Sequence, residues 1–115
     1  MTADSYIAGM SYANFICKAY NLDASNQKHF SYCAKMRNLI DAENGGISIS
    51  KSVKKQFDDV KGYLTKAIDK YLTRKEITLV QREKLEELKE RTNYVINSSG
   101  LMNIVEDGLE IVSSN

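Results

Sequence analysis

Seven apolar side chains between Val53 and Tyr71, namely Val53, Phe57, Val60, Leu64, Ala67, Ile68 and Tyr71, follow the three- and four-residue spacing of a helix. A helix of 3.6 residues per turn places all seven on one face, whereas a strand of period two scatters them over both. Lys51, Lys55, Lys66, Lys70 and Arg74 fall largely opposite. The pattern predicts an amphipathic helix over about residues 50 to 73, with Ser50 as N-cap. The preceding Asn44-Gly45-Gly46 run reads as a turn in which glycine takes positive φ without penalty. Gly62 is the one local conflict: it lies on the polar face and costs about 1 kcal/mol relative to alanine. The 115 residues contain no proline, which favours long helices over a fold with many turns.

The rest of the chain follows the same period. Thr78 followed by Gln81 has capping-box spacing, and a helix from about 79 to 97 is predicted with Leu85, Leu88, Thr92, Val95 and Ile96 as its stripe. Arg82 with Glu86, and Glu87 with Arg91, make fourth-neighbour pairs on its exposed side. Leu101, Ile104 and Val105 leave that stripe, so the helix is expected to stop or bend at Gly100. A short terminal helix over 101 to 112 follows, although Asp107 to Val112 also fits a strand. Upstream, helices are expected at about 5 to 21 and 25 to 43, with Asp23 or Ser25 capping the second and Tyr32, Met36, Leu39 and Ile40 on one side of it. The fold expected from these segments is all-α: a single domain over residues 1–115, an antiparallel four-helix bundle with a short additional C-terminal helix.

Residues 6 to 20, YIAGMSYANFICKAY, hold one charge and four aromatic rings. Tyr6, Met10, Ala13, Ile16, Cys17 and Tyr20 form one apolar face, and Ala8, Tyr12, Phe15 and Ala19 form another. Ser11, Asn14, Lys18 and Asn21 are confined to a narrow polar strip. One apolar face packs inside a bundle, and a second one left in water makes a contiguous patch of a kind monomers rarely show. Two-fold self-association through Ala8, Tyr12, Phe15 and Ala19 is the expected remedy, giving a homodimer. The competing arrangement has residues 101 to 112 fold back over the same surface within one chain.

No constellation with a recognisable chemistry emerges. His29 is the only histidine, and Cys33 lies one turn further along the same helix. A hairpin centred near Asp23 brings Cys17 opposite His29, but no CxxC or second histidine completes a metal site. The same hairpin offsets Cys33 from Cys17 by a full turn, beyond the reach of a disulfide. Asp58-Asp59, Glu86-Glu87 and Glu106-Asp107 are adjacent pairs, and adjacent helical residues project about 100° apart. They do not converge as general acid and base. A non-enzymatic protein with no cofactor and no metal is therefore expected.

Sixteen Lys and Arg against fifteen Asp and Glu leave a formal charge of +1, so no global field draws the chain to nucleic acid or anionic lipid. The positive excess is local. Residues 51 to 75 hold eight basic against three acidic residues, and Lys66, Lys70 and Arg74 share one side of the predicted helix. A nucleic-acid-associated or regulatory accessory role through that basic face is the alternative to the interaction role as a homodimer. The apolar N-terminal stretch is too short to span a bilayer, which takes about 20 residues. It also lacks the features of a secretory signal. A cytoplasmic protein with reduced thiols and no membrane association is expected.

Overall fold

The computed structural model describes residues 3–45 and 51–113. These residues form five helices and no strand: α1 (Ala3–Ala19), α2 (Gln27–Asn44), α3 (Lys51–Leu72), α4 (Leu79–Thr92) and α5 (Ser98–Ser113). The helices pack as a compact bundle. One hydrophobic cluster draws on all five, with Phe15 and Ile16 from α1, Met36 and Leu39 from α2, Leu64 and Ile68 from α3, Leu85 and Leu88 from α4, and Leu101 and Ile104 from α5.

Local signals account for most helix ends. α1 closes in a Schellman arrangement, in which the Leu22 amide donates to the Cys17 carbonyl at 2.9 Å and the Asn21 amide to that of Lys18 at 3.3 Å. The residue at the left-handed position is Asn21, at φ 59°. Asparagine tolerates that conformation better than other residues bearing a β-carbon. The cap of α2 is Asn26, whose side chain accepts from the Lys28 amide at 2.9 Å, rather than Asp23 or Ser25. Asp23 and Ser25 are occupied with each other: the Ser25 amide donates to Asp23 Oδ1 at 2.9 Å and its hydroxyl to the same oxygen at 2.5 Å. These bonds hold the Asp23 carboxyl below its usual range. At α4 the capping box is complete, with the Gln81 amide donating to Thr78 Oγ1 and the Thr78 amide to Gln81 Oε1. Gly45 ends α2 at φ −74°, so the positive φ expected in this turn is not used there. Gly46 and the expected cap Ser50 lie outside the described residues.

Two boundaries differ from the periodicity. α4 stops at Thr92, five residues before the expected end, and the Ser98-Ser99-Gly100 run expected to break the helix is the first turn of α5. Asn97 explains the shift. Its side chain accepts from the Gly100 amide at 3.0 Å, and its carbonyl accepts from the Leu101 amide at 3.1 Å, which starts a new helix ahead of the glycine. Ile96, assigned to the α4 stripe, is consequently 85% exposed. α5 spans 16 residues and is longer than α4. The strand alternative for its second half does not occur.

Two glycines set close helix approaches and a third sets none. A β-carbon on Gly9 would lie 2.7 Å from Arg37 Cγ, 2.8 Å from the Cys33 carbonyl and 2.9 Å from Cys33 Sγ, so only glycine lets α1 sit this close to α2. On Gly108 it would lie 2.6 Å from Phe15 Cε1, at the contact between α1 and α5. Nothing stands within 4 Å of the corresponding position on Gly62. Gly62→Ala is expected to stabilise the protein by about 1 kcal/mol through helix propensity alone. Gly9→Ala gains the same propensity but is expected to lose about 1–3 kcal/mol by overpacking against a backbone carbonyl. Chemical denaturation of the two variants beside the parent chain measures both.

Candidate functional site

The proposed self-association face is interior. Tyr12, Phe15 and Ala19 have no exposed surface and Ala8 retains 8%. α3 and α5 cover them within one chain. The Tyr71 hydroxyl donates to the Phe15 carbonyl at 2.6 Å, the Tyr12 hydroxyl donates to the Val60 carbonyl at 2.9 Å, and the Phe15 ring packs on that of Tyr71 at 4.9 Å. Ala13, Ile16 and Cys17 from the first apolar face are also buried, while Tyr6 and Tyr20 at its two ends are exposed. α1 is thus apolar on two sides because it packs against α2 on one and against α3 and α5 on the other. The patch that called for a second copy does not exist on the surface.

The basic face is divided between two uses. Lys66 and Lys70 are exposed and pair with no acid among the described residues. Arg74 instead turns to the C-terminus of α1: its Nη2 donates to the carbonyls of Lys18 and Ala19 and to Asn21 Oδ1, and its guanidinium lies 4.9 Å from the Tyr71 ring centre. A cation at that point satisfies carbonyls that end without intrahelical partners and opposes the negative end of the helix dipole. Lower on α3, Lys54 and Lys55 pair with Asp58 and Asp59. Arg74→Gln is expected to cost about 1–2 kcal/mol of stability, checked by thermal unfolding. The fourth-neighbour pairs expected on α4 give way to contacts between elements: Arg82 donates to the Leu72 carbonyl, Lys89 pairs with Asp69 at 2.7 Å, and Arg91 with Asp107 at 2.9 Å.

Cys17 and His29 do line one depression at the turn between α1 and α2, as the hairpin arrangement required. The His29 ring is held there by Asn14, with Nε2 and Oδ1 2.7 Å apart. Burial raises the Cys17 thiol above its usual range, with Asp23 adding to the effect, which disfavours the nucleophilic thiolate. Cys33 is turned toward Gly9. Both cysteines are free, and among the described residues no group of three or more His, Cys, Asp or Glu is placed to hold a metal ion. No described helix is long and apolar enough to cross a membrane.

One concavity among the described residues was not anticipated. A groove of about 450 Å³ runs between the start of α1, the end of α2 and the start of α5, within the size range of ligand and side-chain pockets. Ile7, Ala8, Ile40 and Met102 supply its apolar surface, and Ser11, Asn44 and Glu106 part of its polar rim. Glu43 ties the groove together. The Ser98 amide donates to Glu43 Oε2 at 3.0 Å and the Ser98 hydroxyl to Oε1 at 2.5 Å, so a carboxylate from the end of α2 caps α5. Ile7 is 62% exposed although it is aliphatic. Its position was readable: Ile7, Ser11, Asn14 and Lys18 are spaced four, three and four residues apart, which puts an isoleucine in the middle of the polar strip of α1.

With this geometry in view, comparison with known proteins returns nothing to set beside it: no family model matches the chain, and neither does any curated protein or solved structure.

Proposed function

We propose that the protein is a non-enzymatic interaction domain whose working surface is the groove between α1, α2 and α5. The observation that supports this is Ile7, an aliphatic side chain left 62% exposed on a polar strip and beside an apolar hollow. Exposed apolar residues standing singly are normal; Ile7 differs in being continuous with the apolar surface that Ala8, Ile40 and Met102 give the groove. Self-association through Ala8, Tyr12, Phe15 and Ala19 is not part of this role, because the chain itself covers those residues.

A photo-crosslinking amino acid placed at position 7 tests the proposal in the native cell, with position 83 on exposed α4 as the control. A discrete protein adduct from position 7 and none from position 83 is expected. The same adducts from both positions, or none from either, refute an interaction role for the groove.

A further inference from the structure

We infer that the groove receives a basic amphipathic helix from a partner protein, seating one aliphatic side chain against Ile7, Ile40 and Met102 while a Lys or Arg one turn away pairs with Glu106. The partner class presupposes the interaction role proposed above. Charge complementarity selects it. Among the residues lining the groove Glu106 is the one that carries a charge, and it is exposed with no cation paired to it among the described residues. The surrounding helix, α5, carries no Lys or Arg to oppose that sign. The other two acids of that helix, Asp107 and Glu110, line a hollow on the α4 side, where Arg91 engages Asp107. The nearby cation Arg37 is occupied over the Tyr6 ring, 5.1 Å from its centre.

A helix suits the shape. Side chains three and four residues apart on a helix lie about 5–6 Å from each other, so an aliphatic residue and a basic residue at that spacing fit a groove with an apolar floor and one acid on its rim. A second copy of the chain is a poorer occupant. Its own basic helix, α3, has the aliphatic side chains Val60, Leu64 and Ile68 buried in its own core, where they cannot seat in another copy's groove. Acidic or neutral segments gain nothing from Glu106, and like charges at an interface discriminate against the wrong partner.

The test uses the full chain as bait against a library of random 16-residue peptides displayed on phage. Enriched sequences are expected to carry an aliphatic residue followed at three or four positions by Lys or Arg. A synthetic peptide from the selection should bind at least tenfold more weakly to Ile7→Asp. Glu106→Lys should weaken the same peptide several-fold and shift a repeated selection toward acidic sequences. Both substitutions are at exposed positions, and circular dichroism verifies that each variant is folded. Enrichment of peptides without basic residues, binding indifferent to Ile7→Asp and Glu106→Lys, or concentration-dependent oligomers of the chain abolished by Ile7→Asp would each overturn the inference. Failure here alongside a position-7 adduct in the cell refutes the partner class and leaves the interaction role standing.

Discussion

Phe15→Glu is expected to leave the chain unfolded rather than release a soluble monomer. The ring is fully buried and packs against Tyr71 and over Gly108. Removing a buried phenylalanine side chain costs about 3–5 kcal/mol. An uncompensated buried carboxylate adds several more. The sum is comparable to the whole stability of a domain, about 5–15 kcal/mol. Phe15→Leu, which retains much of the volume, should remain folded with a reduced unfolding midpoint. Circular dichroism and sedimentation velocity separate the outcomes. A folded monomeric Phe15→Glu variant derived from a dimeric parent would restore the interface that the second apolar face of α1 first implied.

Alkaline pH is expected to destabilise the protein through Tyr12 and Tyr71. Both hydroxyls are buried hydrogen-bond donors, to the carbonyls of Val60 and Phe15. Loss of solvation raises both groups well above the ordinary tyrosine range; neighbouring tyrosines and Asp59 add to the rise at Tyr12, and Arg74 partly opposes it at Tyr71. The sign follows from proton linkage. An unfolded tyrosine deprotonates near pH 10, while the folded one still holds its proton. The unfolded state therefore binds fewer protons above that pH, and stability falls as pH rises. Below about pH 10 the contribution is intact. Above it each group removes about 1.4 kcal/mol per pH unit until its folded form also titrates, so the two together remove about 5 kcal/mol by pH 12. Tyr12→Phe should cost about 1 kcal/mol at neutral pH through the lost hydrogen bond and make the alkaline slope shallower by that group's share. Denaturant midpoints measured between pH 8 and pH 12 for the parent, Tyr12→Phe and Tyr71→Phe check this. A parent curve that is flat across that window, or an unchanged slope in both variants, would show that the two hydroxyls titrate freely.

The division between what was legible in the sequence and what was not follows from the range of the interactions involved. Helical periodicity and capping are relations among residues a few positions apart, so the existence of the helices, the α3 stripe and the Thr78-Gln81 box could be read directly from the chain. The placement of Cys17 across from His29 needed only the α1–α2 turn. The Asn97 cap and the Schellman close at Asn21 are equally local, and the first was hidden by Ser98-Ser99-Gly100, whose composition looks like a break.

What the sequence by itself determined about α1 was that two of its sides must leave water. Which element covers the second side was decided by tertiary structure. A helical wheel ranks faces by polarity and carries no information on the distance to a helix more than forty residues away. Tyr12 meets Val60 and Phe15 meets both Tyr71 and Gly108 because the later helices return to the same axis. The groove has the same origin. Its walls come from residues near 7, 40 and 102, and Glu43 reaching Ser98 brings the ends of α2 and α5 together across 55 positions of sequence. Arg74 shows the converse: its spacing places it with Lys66 and Lys70, but unpaired carbonyls at the end of α1 attract a cation more strongly than water solvates it there. Polarity patterns specify what must be buried or solvated; the partner that does so is a property of the assembled chain.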